Sequence, residues 1–200
     1  ETTCTSTSNL PGARRIGSVG RPLPGQDVAV LALDSDRVLD QGQTGEVAIR
    51  GPNIAMGFVG GDRFDQNAWL RTGDCGHFDP EGYLYLTGRL KEIIIRGGEN
   101  LSPVQIENVM LTQGGISAAC VCGAPDSDLG EVPVAYVELS GAKQPDVSAL
   151  NVAIAERLSP AHRLRDVFVL DKLPTNNVGK VDRKLLEKDA RERLASLAPQ

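Results

Sequence analysis

A chain of 200 residues with 40% hydrophobic residues can bury one or two cores, and a formal net charge of -5 argues against a sequence-independent nucleic-acid binder, which needs basic stripes to meet phosphates. No apolar run reaches the roughly 20 residues of a bilayer-spanning helix, and Glu1-Thr2-Thr3-Cys4 carries neither a basic nor an apolar leader region, so the expectation is a cytoplasmic protein with no integral membrane segment. The cysteines at 4, 75, 120 and 122 form no C-x-x-C pair and have only His77 and His162 for company, so they read as isolated reduced thiols, and the two histidines as surface or hydrogen-bonding residues.

Up to residue 10 the chain is rich in Thr and Ser without apolar periodicity and reads as a loop. Residues 26–33 and 44–50 alternate as strands do, with Gly42 and Gly45 turning between them. Asp79-Pro80-Glu81-Gly82 is a turn signal, and a strand over 83–87 leaves it. Beyond Gly88 the pattern changes. Ile93-Ile94-Ile95 runs into Gly97-Gly98 and then into the capping box Ser102-Pro103-Val104-Gln105, which predicts a helix from Pro103 with Ile106, Val109 and Met110 on one face. Gly114-Gly115 end that helix, and 117–122 and 132–139 suit buried strands, with Cys120 and Cys122 explained by strand period alone. Asp146 caps a second helix carrying Val147, Leu150, Ile154 and Leu158; 166–170 is a short strand; a last helix follows Asp182 with Leu186, Ala190, Leu194 and Leu197 inward. A β-rich front followed by interleaved strands and helices gives an α+β chain with a boundary near Leu90 or Lys91.

Four segments, 45–57, 70–74, 88–107 and 173–183, combine glycine with charged residues more densely than turns require, and all are expected at loops or strand ends. Taken singly they are weak signals, because turns routinely use Gly and Asp. Lys180 does not complete a phosphate loop of the form G-x-x-x-x-G-K-[ST], since Pro174 stands where glycine is needed and Val181 where Ser or Thr is needed.

In order, "GSVGRPLPG", "GEVAIRGPNIAMGF", "LRTGD", "GRLKEIIIRGGENLSPVQIE" and "LPTNNVGKVDRKLL" resemble the motifs of the adenylate-forming superfamily, which includes acyl-CoA synthetases, luciferases and the adenylation domains of nonribosomal peptide synthetases. The resemblance runs over nearly the whole chain. It implies an ATP-dependent reaction in which a carboxylic acid becomes an acyl-adenylate with loss of pyrophosphate, and the thiol of CoA then displaces AMP. For the fold it implies that residues 1–90 are the β-rich carboxyl-terminal part of a large AMP-binding domain and 91–200 a mobile carboxyl-terminal lid, a small mixed sheet with flanking helices.

Residue by residue, Lys180 matches the family lysine that reaches the carboxylate and the α-phosphate during adenylation, a role suited to a point charge on a long stem. Asp74 matches the aspartate that accepts from both ribose hydroxyls, and Arg89 an arginine at the ribose or nearby phosphate. Glu1 matches the glutamate of a T-E pair near Mg2+, although its threonine is not among the 200 residues. Lys91 occupies the hinge between half-reactions, and Gly97 and Gly98 the loop bordering the pantetheine tunnel, where a plain turn between strand and helix explains the same glycines. Ile95 stands where luciferase-like members carry a lysine; fatty-acyl and related CoA synthetases tolerate an apolar residue there, so a role for a second lysine in thioester formation does not carry over. Fatty acid metabolism is a further expectation from the resemblance.

The resemblance also leaves alternatives: an enzyme loading a carrier-protein phosphopantetheine, or a noncatalytic interaction module that keeps the lid fold. The triphosphate loop and acyl pocket of this family lie ahead of the T-E motif, so the 200 residues are expected to be catalytically incomplete. Acyl-chain identity and assembly, a homo-oligomer included, stay open.

Overall fold

The computed structural model describes residues 2, 5–141 and 145–197; the side chain of Leu197, expected inward, lies outside the description. The chain divides into two compact units, Glu1–Lys91 and Glu92–Gln200. Among the described residues no helix is long and apolar enough to cross a membrane.

In the first unit, β1 (Thr7–Ser8) pairs with β2 (Arg21–Pro22), and an antiparallel sheet follows in the order β3 (Asp27–Leu31), β4 (Gly45–Arg50), β5 (Leu70–Phe78), β6 (Leu84–Arg89). Strand period sends Ala29, Leu31 and Ala48 into one cluster with Trp69, and Val30, Val47 and Leu84 into another with Leu39 and Phe78, so the middle of this sheet is apolar on both faces. Asp79 builds the β5–β6 turn: its Oδ1 accepts from the Glu81 and Tyr83 amides at 3.0 and 2.8 Å, and Arg15 pairs with its Oδ2 at 2.8 Å. Its partial burial works against the charged form, yet these donors hold the carboxyl below its ordinary range.

The nine residues of β5 were not expected as a strand. LRTGDCGHF has no clean alternation and two glycines, and the segment becomes a strand because it is paired on both sides, by β4 and by β6. Close approach matters here: a Cβ on Gly76 would sit 2.5 Å from the Tyr85 carbonyl oxygen.

In the second unit, β7 (Ile94–Arg96) and β8 (Glu99–Leu101) form a hairpin, followed by α1 (Pro103–Leu111), β9 (Ile116–Asp126), β10 (Gly130–Leu139), α2 (Val147–Arg157), β11 (Asp166–Val169) and α3 (Arg183–Leu197). The sheet is mixed: β10 pairs parallel with β11 and antiparallel with β9 and β7. Val121, Ala135 and Val137 point to one face, where α1 and α2 bury Ile106, Val109, Met110, Leu150 and Ile154. Cys120, Cys122, Val134 and Tyr136 point to the other, where α3 buries Leu186 and Ala190 and packs Leu194. This alternation makes three layers around one strand pair, and the protein is of the α+β class.

Both predicted caps form. Ser102 Oγ accepts from the Gln105 amide at 3.4 Å, and Asp146 Oδ1 accepts from the Ser148 and Ala149 amides at 3.0 and 3.1 Å. Because Asp146 is exposed and serves two otherwise orphaned donors, Asp146→Ala should cost about 1 kcal/mol, read as a lower urea midpoint at unchanged slope. A loss below a few tenths of a kcal/mol would mean that water satisfies those amides equally well.

One expectation is corrected in the loop before α1. Gly97 and Gly98 do not join a strand to a helix; they are the two turn residues of the β7–β8 hairpin, at φ 57° and 87°. Two consecutive left-handed residues are what a two-residue hairpin turn demands, and glycine meets that demand without a Cβ clash.

Candidate functional site

Asp74 lies inside β5, not at a strand end as expected, directly across from Arg89 on β6, and Arg89 Nε reaches its Oδ1 at 2.9 Å. The pair is accessible: the Asp74 side chain is 28% exposed and that of Arg89 63%. The other residues of the Arg71-Thr72-Gly73-Asp74 stretch are spent on scaffolding. Thr72 Oγ1 donates to the Val47 carbonyl at 2.8 Å and accepts from the Asp74 amide at 3.1 Å. Gly73 takes a left-handed φ of 76° and donates its amide to Glu46 Oε1 at 3.0 Å. Arg71 gives Nη1 to Glu46 Oε2 at 2.6 Å and Nη2 to the Ala32 and Ser35 carbonyls at 3.2 and 2.7 Å.

Glu46 is therefore the residue that holds this bend, and sequence reasoning missed it. Its side chain is only 9% exposed. The available signal was a carboxylate inside the apolar strand Gly45–Arg50, since a buried carboxylate requires dedicated partners. The Glu46 hydrogen bond raises the Arg71 guanidinium above its ordinary value despite burial.

Lys180 sits on a short hairpin of the second unit. Thr175 bridges Val181, the Asn176 amide donates to the Lys180 carbonyl at 2.7 Å, and the Asp182 amide to the Pro174 carbonyl at 2.8 Å. Asn176 Oδ1 closes the tip by accepting from the Val178 and Lys180 amides at 3.1 and 3.0 Å, and Gly179 turns it at φ 77°. Lys180 is exposed, and its ammonium takes part in none of the ion pairs among the described residues. The Gly97 amide donates to the Leu129 carbonyl at 2.8 Å, which seats the Gly97-Gly98 turn against the β9–β10 connection, while Gly98 faces open space. Ile95 is 55% exposed. Lys91 is the exposed middle residue of a 3-10 turn, Leu90–Glu92.

Asp74 and Arg89 are thus brought together within the first unit, whereas the Gly97-Gly98 turn and the Lys180 hairpin are separate loops of the second. Glu1, the expected magnesium ligand, lies outside the described residues, as does Cys4.

The remaining reactive side chains are engaged elsewhere. Burial pushes the Cys120 and Cys122 thiols up to about 12 and raises Cys75, so none is poised as a nucleophile. His162 does have a partner, Ser159 Oγ at 2.8 Å from its Nδ1, and burial lowers its pKa; His77 stacks on Tyr85 with ring centres 5.5 Å apart. Among the described residues no group of three His, Cys, Asp or Glu side chains could hold a metal ion.

Residues 1–59 match the family of AMP-binding enzymes, and residues 105–180, up to and including Lys180, match the AMP-binding enzyme C-terminal domain. The chain belongs to the adenylate-forming superfamily. An oxalate–CoA ligase of Saccharomyces cerevisiae is 38% identical over 189 residues, covering 91% of this chain and 34% of that protein. ATP-bound MatB from Rhodopseudomonas palustris superposes with a TM-score of 0.82 at 28% identity, over 92% of this chain and 37% of that one. The o-succinylbenzoate CoA synthetase of Bacillus subtilis, in complex with its acyl-adenylate intermediate, superposes with a TM-score of 0.76 at 34% identity, over 86% of this chain and 36% of that one. The chain thus spans about a third of the length of these relatives.

Proposed function

We propose that this adenylate-forming chain is part of a cytoplasmic, AMP-forming acid–thiol ligase that converts a carboxylic acid and CoA into an acyl-CoA at the expense of ATP. The observation that carries this reading is the partly exposed Asp74 carboxylate held across the strand pair from Arg89, on a bend that Glu46 and Thr72 pre-shape, within a chain whose relatives are named CoA ligases. A carboxylate offers two acceptor oxygens to the vicinal hydroxyls of a ribose, and Arg89, 2.9 Å from Oδ1, orients it.

In the first half-reaction a carboxylate oxygen attacks the α-phosphorus of ATP and pyrophosphate leaves; in the second the CoA sulfur attacks the acyl carbon and AMP leaves. Asp74 and Arg89 bind the nucleotide in both. Lys180 supplies positive charge to the carboxylate and α-phosphate while the first transition state forms, which its exposed hairpin allows. Magnesium, when bound, neutralises the triphosphate, and Glu1 is its proposed ligand in this chain. Lys91 serves as the hinge on which Glu92–Gln200 turns as a lid between the steps, and the Gly97-Gly98 turn lets the pantetheine arm pass, because glycine leaves the room a side chain would fill.

The test is carboxylate-dependent exchange of pyrophosphate into ATP, followed by a competition between free CoA and a holo-carrier protein for the acyl group. An enzyme that contains these residues with a triphosphate loop and an acyl pocket is expected to exchange pyrophosphate and to form acyl-CoA, whereas a polypeptide of the 200 residues alone is expected to do neither. Preference for the carrier protein would replace CoA as acceptor. Absence of exchange in the longer enzyme would leave an interaction module as the reading of the fold.

A further inference from the structure

We propose that Arg183 is a positioning residue that clamps the Lys180 hairpin and the residue following the hinge into one rigid block. The inference rests on the assignment of Lys180 to adenylation.

The hairpin needs such a clamp. Its backbone bonds define its own shape, but residues 175–181 are all exposed and none belongs to the apolar clusters of the unit. Its attachment is left to its two ends. On the entering side Leu173 is buried and donates its amide to Glu138 Oε1 at 2.7 Å. On the leaving side the chain passes through Asp182 to Arg183, the first residue of α3.

Arg183 turns back into the unit with its side chain only 19% exposed and meets three partners. Its Nε lies 3.2 Å from Glu92 Oε2 and its Nη2 3.0 Å from Glu107 Oε1, while Nη1 donates to the Val121 carbonyl. Glu107 Oε1 in turn accepts from the Val121 amide at 2.8 Å, which locks α1 to β9 at the same point. Burial disfavours the cation, but Glu107 and Glu92 more than compensate and hold the guanidinium above its ordinary value. The guanidinium meets its three partners from three different nitrogens held in one plane; an ammonium, with all its donors on a single nitrogen, could keep the charge but only part of this spread geometry.

Glu92 gives this cluster its meaning. It is the first residue of the second unit, next in sequence to Lys91, and it pairs with the guanidinium of Arg183, three positions beyond Lys180. A turn of the backbone at Lys91 therefore carries Glu92, Arg183 and the base of the hairpin together. Without the clamp the hairpin would still close on itself, but the ammonium at its tip would lose its defined position, and a misplacement of about 1 Å can cost about 100-fold in rate.

The experiment uses an enzyme that carries these residues in complete form, with Arg183→Lys, Glu92→Gln and the double variant, and Lys180→Ala as reference. Arg183→Lys should lower the turnover of adenylation by about 10- to 100-fold at a KM for ATP and acid within about twofold of the parent, and should speed hydrogen exchange in a peptide spanning 174–182. Glu92→Gln should act in the same direction more weakly, and the double variant should be no slower than Arg183→Lys alone, because both substitutions break one clamp. Should Arg183→Lys fail to fold, Glu92→Gln carries the same kinetic and exchange readouts. Parental turnover in the folded variants would overturn the clamp, and so would a slowed turnover without faster exchange in 174–182. If Lys180→Ala itself left adenylation intact, the assignment of Lys180 would fall first, a result that the reference variant separates from failure of the clamp.

Discussion

Lys180→Ala, introduced into an enzyme that contains this chain together with its triphosphate- and acyl-binding parts, should slow acyl-adenylate formation by roughly 100- to 1,000-fold, the usual consequence of removing one preorganised electrostatic donor from a charged transition state. The expectation follows from how the side chain is held. Lys180 is exposed on a hairpin whose tip is organised by Asn176 and Gly179, and its ammonium joins none of the ion pairs among the described residues, so its charge is not consumed within its own unit. Truncation should leave folding untouched, because an exposed lysine buries little, and far-ultraviolet circular dichroism and the urea midpoint should match the parent. Thioester formation from supplied acyl-adenylate should be much less affected, since the charge is needed when the carboxylate meets the α-phosphate. Equal loss in both half-reactions would show that Lys180 serves the whole cycle or the fold and not adenylation.

Asp74→Ala should weaken both ATP and AMP by roughly 10- to 100-fold, because hydrogen bonds to a charged acceptor contribute about 1.5–3 kcal/mol and the two ribose hydroxyls lose theirs together. The structure makes this a clean experiment. Among the ion pairs of the described residues Asp74 joins only that with Arg89, and the Arg89 side chain is 63% exposed, so the cation left behind stays hydrated. A solvent-accessible pair of this kind contributes only about 0–1 kcal/mol to stability, so the unfolding midpoint should scarcely move. Titration calorimetry of the folded variant with both nucleotides measures the effect, and unchanged affinity for both would remove Asp74 from the nucleotide site. Glu46→Gln provides a contrast: it keeps the shape but weakens the Arg71 and Gly73 contacts that hold the bend, so it should cost stability as well as nucleotide affinity.

The ease with which the second unit could be read depends on local rules. Ser102 and Asp146 announce their helices because a side-chain oxygen next to unpaired amides is a chemical requirement that acts over three residues. Ile106, Val109 and Met110, like Leu150 and Ile154, repeat at helical spacing because each helix has one face to bury. Strand period accounts for Cys120 and Cys122, which lie on the α3 face opposite Val121. No comparable rule reaches β5. Its register depends on Gly45 meeting Gly76 and on Asp74 meeting Arg89, contacts between residues 31 and 15 positions apart in sequence, 76 − 45 and 89 − 74.

From the sequence alone came the α+β class, the caps, the helical faces and the ordered motifs that mark the superfamily, because all of these are short-range patterns of residue type. Only the tertiary structure showed that Asp74 is a mid-strand residue paired with Arg89, that Gly97 and Gly98 are a hairpin turn, that buried Glu46 holds the bend beneath Asp74, and that Arg183 joins Glu92 to Glu107. For the charged residues the physical reason is the same. A charged side chain looks like ordinary solvated surface until the fold buries it, and its partners, distant along the chain, are chosen by the strand pairing and helix docking that exclude water around it.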